Sequence, residues 1–576
     1  MNDRKGRREE HRKATPWLVT FFTSCLSCSL PACLPLAFLP AGGCQSHTTV
    51  YDPAQAEEIR EKIYDIKPLE LTEAEPNAAA PTDVNESPAT MELSLEQCRA
   101  LALENNLQLR ASLISPTIAA AQLSEEEAKF ESAFFANADL RKTDVSSGGS
   151  REVGDPPVFI PIIATSQNEI AAGDLGVQVP LRTGGTVTFD LGDRRTKNLN
   201  VDGPFNPSYE NAMSVSVSHP LLRNAGQWVN TYSIRIAAYN RDIVSARTKL
   251  DVIAVLAAID RVYWRLYAAR QELEVRQQQY ELSQAQLERA RRLVEAGQRP
   301  QVEVIRAESG VAQQLEAIIV AENTLRDRER ELKRVINKAG MDIQSATIIV
   351  PASQPDPVHY DLEQARLVRQ ALQSRMELLE LQLQLLQDAR TVDFARNQTL
   401  PVASLDYSYS IGGTGETRTE SFDMLFTSDF VNHRLGLQML VPIGNEAARS
   451  RLRQAIYQRR QRLTTRADRE ELIRLEVLNA IDQVEANWQR ILAARQNTIV
   501  NARLYEAEKR EFEVGMSTST DVLDAQFNFA NAQTSEIRAL ADYQISLVDM
   551  AYATGTILGA AKIQWEPIVP EAGVDD

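Results

Sequence analysis

A chain of 576 residues with 24% charged residues, 6% aromatic residues and a formal net charge of −16 is too poor in large rings for one thick core. It is also too acidic to favour nucleic acid as a partner. Length alone suggests several domains, yet the longest segments lack the Gly/Pro punctuation that separates globular units, so one elongated body is expected.

The N-terminus reads as a removable leader over residues 1–43, with a basic stretch from Arg4 to Lys13 and an apolar one from Trp17 to Leu39. Ala41-Gly42-Gly43-Cys44 resembles a bacterial lipobox, which makes Cys44 the expected lipidation site. Cys33, after Leu30-Pro31-Ala32, and plain signal cleavage are the alternatives, and Gln45 resembles an outer-membrane sorting residue. With Cys25 and Cys28 also in the leader, only Cys98 remains, which excludes a disulfide framework. Loss of the leader takes six basic and three acidic residues and leaves 56 against 75, a net of −19. No later run reaches the roughly 18 apolar residues of a membrane-spanning helix, so any bilayer crossing must use strands.

Residues 44–92 are rich in Glu, Ala and Pro and are expected to be a flexible tether, with folded structure starting near Leu93. Two similar stretches follow, 93–340 and 361–558, joined by a linker at 341–360 and trailed by a tail at 559–576. Leu95-Glu96-Gln97 recurs as Leu362-Glu363-Gln364, and the interval from Pro220 to Asp260 equals that from Pro442 to Asp482, 40 residues each. Each stretch reads helix, β region, long helix, turn, returning helix.

The first helix is expected over Leu95 to Ser132 with a kink at Pro116. A strand pair follows, about Phe134 to Lys142 and Ala212 to His219, with period-2 alternation. Between them a hairpin signal, Leu175 to Leu181 and Thr186 to Leu191 across Arg182-Thr183-Gly184-Gly185, breaks the two-fold pattern and is read as an extension of the exterior loop, with extra barrel strands as the alternative. Thr231 to Ala296 and Glu446 to Val514 contain neither Gly nor Pro and predict helices of about 100 Å. Gln301 to Asn337, Asp361 to Gln398 and Thr518 to Thr554 predict helices of about 55 to 60 Å. Leu256, Ile259, Tyr263 and Leu266 form an apolar seam at helical spacing, with Arg261 and Arg265 directed elsewhere. The second strand pair falls at Ala403 to Ile411 and Leu435 to Val441, giving four strands per chain. Four are too few to close a barrel, and three chains would give about twelve.

Enzymatic chemistry has no support: the histidines at 11, 47, 219, 359 and 433 form no ligand-spaced cluster, and Cys98 has no His near it in sequence. Arg182-Thr183-Gly184-Gly185 lacks the Lys-Ser/Thr of a phosphate loop. No catalytic residue, cofactor or resident metal is expected. His219 reads as a strand-end polar residue, the basic run Arg289 to Arg292 as a solvated face, and Trp264 and Trp488 as packing residues.

From Leu93 to Leu558 the chain resembles the TolC-like outer membrane efflux protein family. The resemblance rests on Leu93-Ser94-Leu95-Glu96-Gln97 with Ala102-Leu103-Glu104-Asn105-Asn106, on Val217-Ser218-His219-Pro220 leading to Asn224-Ala225-Gly226, and on Val514-Gly515 leading to Asp521-Val522-Leu523-Asp524-Ala525. It implies a mainly α chain with a β-barrel portion, two structural repeats per chain, and a homotrimer whose helical periplasmic tunnel joins a shared membrane barrel. It also implies a passive conduit that takes cargo from an inner-membrane transporter through a periplasmic adaptor. Gly297 and Gly515 would be the adaptor-docking tips, and Asp521 and Asp524 would ring the pore mouth. The family's closing latch departs here: Phe512 stands in place of a Tyr, Ser517 of an Arg and Glu303 of an Asp. A non-channel periplasmic lipoprotein and a coiled-coil scaffold are the alternative readings. Scarce Met and His argue against copper or silver as a dedicated cargo.

Overall fold

The computed structural model describes residues 89–199, 203–427 and 430–564. The leader, Cys33, Cys44 and the tether up to residue 88 lie outside the described residues, as does the end of the tail.

The tether gives way to a strand, β1 (Thr90–Leu93), and Ser94 then starts α1 (Leu95–Asn105). The Ser94 hydroxyl accepts the Gln97 amide at 3.2 Å while the Gln97 side chain accepts the Ser94 amide at 2.9 Å, so the opening motif is a capping box. A second helix, α2 (Leu107–Ala128), follows at once. The break falls at Asn106, and Pro116, where a kink was expected, sits inside α2. Asn106 is extended at ψ 117° and caps α2 by accepting the Leu109 amide at 2.9 Å. A self-capping Asx side chain can stop one helix and start the next, whereas proline ten residues into α2 bends it without ending it.

Next come β2 (Ala133–Val153), β3 (Val158–Pro180), β4 (Thr186–Asn198) and β5 (Ser208–Pro220). A short α3 (Gln227–Asn230) leads into α4 (Tyr232–Glu295), which turns into α5 (Val302–Ile336). β6 (Ile348–Pro351) pairs in parallel with β1, so part of the linker is strand. α6 (Gln364–Ser374) and α7 (Met376–Asn397) break at Arg375 where one helix was expected. Then follow β7 (Val402–Gly415), α8 (Arg418–Thr427) and β8 (Val431–Leu440). α9 (Glu446–Glu513), α10 (Ser519–Ala553) and a short α11 (Ile557–Ala560) complete the described chain.

The six longer strands make one antiparallel sheet in the order β2-β3-β4-β5-β7-β8. The stretch expected to be exterior loop is therefore two full strands at the middle of the sheet. Val177 pairs with both Phe134 and Phe189, and Phe189 in turn with Val215. Alternation explains this: apolar Leu175, Val177 and Val179 match Leu191, Phe189 and Val187 on one face. β2 and β3 also continue past their neighbours as a two-stranded arm, pairing from Asp144 with Gln167 to Val153 with Val158.

The sheet has one apolar and one polar face. Leu405, Tyr407, Leu435 and Leu437 share the apolar face and remain exposed. Asp190, Ser214 and Ser410, paired across β4, β5 and β7, lie on the other.

The helices bury one another. Leu256, Ile259, Tyr263 and Leu266 are fully buried, as the seam required, together with Leu332 and Ile336 of α5 and Cys98 of α1. Asp260, 1% exposed, is held at 2.6 and 2.7 Å by the two-pronged guanidinium of Arg99. Trp264 is buried, and Trp488 packs against Tyr543 at 5.7 Å between ring centres. Among the described residues no helix is long and apolar enough to cross a membrane.

Candidate functional site

The turns after α4 and α9 are built alike. Gly297 has φ 69° and Gly515 φ 82°, a left-handed conformation that costs a side-chain-bearing residue about 1–2 kcal/mol. In the first, the Gly297 and Gln298 amides donate to Val294 and Leu293, both at 2.9 Å. In the second, Gly515 and Met516 donate to Phe512 at 3.2 Å and Glu511 at 2.9 Å. This paired pattern is the Schellman ending of a helix. A side chain at Gly297 would meet nothing within 4 Å, so backbone conformation and not crowding demands glycine there.

The two turns touch each other. Arg299 donates to the Ser517 carbonyl at 3.1 Å and lies over the Phe512 ring at 5.3 Å. Arg289 lies over the same ring at 5.9 Å and pairs with Glu513 at 2.9 Å. Arg289 is thus engaged with the other half of the chain, which corrects its reading as part of a solvated face. The buried Glu303 carboxylate accepts the Ser519 amide at 3.1 Å and pairs with Arg306 at 2.9 Å. Phe512, Ser517 and Glu303, singled out in sequence as departures, therefore meet in one cluster that ties the turns together. Arg299 was missed and Arg289 misplaced, because nothing local in the sequence marks which arginine faces a ring from a distant helix.

Asp521 and Asp524 are both exposed on the first turns of α10. Asp521 forms a capping box with Thr518, accepting its amide at 2.9 Å and its hydroxyl at 2.6 Å. Those two hydrogen bonds, helped by Ser517 and Arg306 against a slight desolvation, hold its carboxyl below the usual range. Among the described residues no hydrogen bond or ion pair holds the Asp524 carboxylate. Val514 and Met516 stand exposed around the Gly515 turn.

Two chemical possibilities are absent from the described residues. They hold no group of three or more His, Cys, Asp or Glu placed to bind a metal ion. The lone Cys98 is buried, and that burial, followed by the Asp260 carboxylate, pushes its thiol pKa up to about 12. His219 ends its strand against the Thr183 hydroxyl at 3.2 Å.

Comparison with known proteins places this geometry. The family described as outer membrane efflux protein matches residues 185–338 and 367–556. The outer membrane protein TolC of Vibrio cholerae is 22% identical over 339 residues, covering 58% of this chain and 75% of that one. The outer membrane channel CmeC of Campylobacter jejuni superposes with a TM-score of 0.57 at 16% identity, over 85% of this chain and 94% of that one. The open-state outer membrane channel MtrE of Neisseria gonorrhoeae gives a TM-score of 0.53 at 16% identity, over 81% and 89%.

Proposed function

Because this chain belongs to the outer membrane efflux protein family, whose relatives are channels and not enzymes, we propose that three copies of it form a passive conduit through the outer membrane. The protein resides in that membrane and extends into the periplasm. The observation that carries the conduit reading is the six-stranded sheet, apolar on one face and polar on the other, in which β2 and β8 have no strand partner along their outer edges among the described residues. Open edges are untenable in hydrocarbon, where each unpaired backbone group costs several kcal/mol. β2 and β8 run in opposite directions, so the β8 edge of one copy can pair with the β2 edge of the next in the antiparallel pattern of the rest of the sheet. Three chains would close a barrel of eighteen strands, where four strands per chain would give about twelve.

The two-repeat organisation, 93–340 and 361–558, is supported by matched lengths: helices of 11 and 22 residues open each half, long helices of 64 and 68 follow, and each half ends on one of 35. In this reading the leader covers 1–43, Cys44 carries lipid that holds the tether 44–92 to the inner leaflet, and 341–360 and 559–576 are linker and tail. The turns at Gly297 and Gly515 face a periplasmic adaptor that brings cargo from an inner-membrane transporter. Asp521 and Asp524 line the mouth.

Conductance of the purified protein in a planar bilayer tests the proposal. Discrete ohmic steps are expected, and a bilayer that stays silent with fully folded protein rejects the channel in favour of a peripheral lipoprotein or scaffold. Intact-mass measurement of the mature chain tests the anchor: a diacyl or triacyl mass on an N-terminus at Cys44 is expected, and an unmodified terminus removes it.

A further inference from the structure

α8 lies outside the strand pairing of the sheet, yet it is built firmly onto it. A Cβ at Gly413 would overlap the Ser421 carbonyl and lie 3.1 Å from the Met424 Cβ, so α8 sits on the side toward which residue 413 projects. In a strand, residues two apart share a face, so this is the side of Leu405, Tyr407 and Ile411. Neighbouring strands agree. Asn211, paired with Gly413, donates to the Ser421 hydroxyl at 2.7 Å, and Asp193, paired with Asn211, holds Arg418 at 2.8 Å. The helix therefore packs against the apolar face of the sheet, not the polar one.

It also descends along that face. Its start lies at Gly415, whose Cβ would be 2.8 Å from the Ser421 amide, and Leu425 lies near Gly413. Just beyond its end the Phe430 carbonyl accepts the Gly412 amide at 3.0 Å, immediately before Val431 pairs with Ile411. The last turn thus reaches the upper edge of the apolar band. There it presents Phe426, 85% exposed, with Phe430 beside it at 58%. Ser421 and Leu425, one helical turn apart, face the sheet and are buried, whereas Phe426 is not part of that contact.

We propose that α8 is an interfacial helix clamped to the outside of the barrel wall, and that Phe426 and Phe430 enter the outer leaflet of the surrounding lipid. The occupant follows from continuity: the aromatic rings extend the surface on which Leu435 and Leu437 stand exposed, at the depth where membrane barrels carry aromatic girdles. Apolar residues held at the membrane surface bury themselves at the boundary of headgroups and acyl chains, and the descent of α8 along the sheet brings its last turn there. The inference rests on the barrel reading, because it takes the apolar face as the lipid-facing one.

The test places a benzoylphenylalanine photoprobe at position 426 in the full chain, reconstituted in phosphatidylethanolamine/phosphatidylglycerol vesicles with radiolabelled phosphatidylethanolamine. Parallel probes stand at Leu435 on the apolar band and at Glu471, an exposed position on α9. Lipid adduct at 426 is expected within about two-fold of that at 435, and about five-fold or more above that at 471, as for any site seated in the acyl boundary. Lipid capture at 435 with only background at 426 overturns the interfacial helix and leaves the barrel standing. Capture of a second protein chain at 426 in place of lipid overturns it too. Background at both 426 and 435 rejects the barrel reading and the helix with it.

Discussion

At the scale of single residues, Asp521 and Asp524, the two aspartates proposed for the mouth, have separate environments although they lie one turn apart. Asp521 is committed to its own helix: its carboxylate accepts from Thr518 and Ser517, and those bonds keep it ionised to lower pH than a free aspartate. Its position at the positive end of a helix would be explained without any pore. Asp524 is exposed and is not needed to cap the helix. The pair therefore separates a charge ring from a helix-end preference. Asp524→Asn should reduce cation selectivity, seen as a reversal potential shifted toward zero in a salt gradient, with weaker block by multivalent cations and no change in thermal stability. Asp521→Asn should lower thermal stability by weakening the capping box with Thr518. An unchanged reversal potential in Asp524→Asn trimers would leave the mouth without a charge filter from this residue.

At the scale of elements, what was legible in sequence were features encoded locally and repeated. Helices of 64 and 68 residues follow from long stretches without Gly or Pro, and the two glycine turns follow from the Schellman requirement for a left-handed residue. Breaks at Asn106 and Arg375 were not legible, because each is held by distant partners. Asn106 donates to Val335 at 2.9 Å, and Arg375 donates to the Ala553 carbonyl at 3.1 Å while pairing with Glu377 at 2.7 Å and Glu476 at 2.8 Å. The acid in this last cluster sets a pH dependence. Burial pushes the Glu377 carboxyl up, but its own backbone amide and the Arg375 and Arg469 guanidiniums outweigh that, and the net shift is downward. A carboxyl whose folded pKa lies below its unfolded value contributes stability above about pH 4.3, which is lost as pH falls through the folded value. The melting temperature of the helices followed by circular dichroism should therefore fall on acidification from about pH 5 downward, and Glu377→Gln should flatten that dependence. An equally steep acid transition in the variant would remove Glu377 as its source. For the turns, Gly297→Ala and Gly515→Ala should each cost about 1–2 kcal/mol through the positive φ, with loss of adaptor crosslinking if the turn geometry is what the adaptor reads. Crosslinking at wild-type yield in both variants would locate docking elsewhere.

At the scale of the whole molecule, the placement of the hairpin within the sheet, which was the alternative to an exterior loop, matters more than its size suggests, since it would set the width of the proposed barrel. Alternation identified Leu175 to Leu181 and Thr186 to Leu191 as strands; what local pattern did not reveal was where in the sheet they pair, which is a long-range property. Their register shows that they are inserted without disturbing the faces. Phe134 of β2 stands level, through Val177 and Phe189, with Val215 of β5, all four on the apolar face. β2 and β5 are antiparallel to each other, so removing the strands between them would bring together edges that already match in direction and in phase. Deletion of residues 158–198 should therefore yield a folded four-stranded unit per chain and a trimer with twelve strands in place of eighteen. Barrel diameter grows roughly linearly with strand number, so the deleted form should measure about two-thirds of the wild-type diameter by electron microscopy in detergent. The helical turns, untouched by the deletion, should keep their dimensions and provide the internal scale. A wild-type barrel already at the smaller diameter would mean that β3 and β4 stand outside the closed wall in the assembled trimer. A deletion variant that assembles at full diameter would mean that the strand count per chain does not set the width.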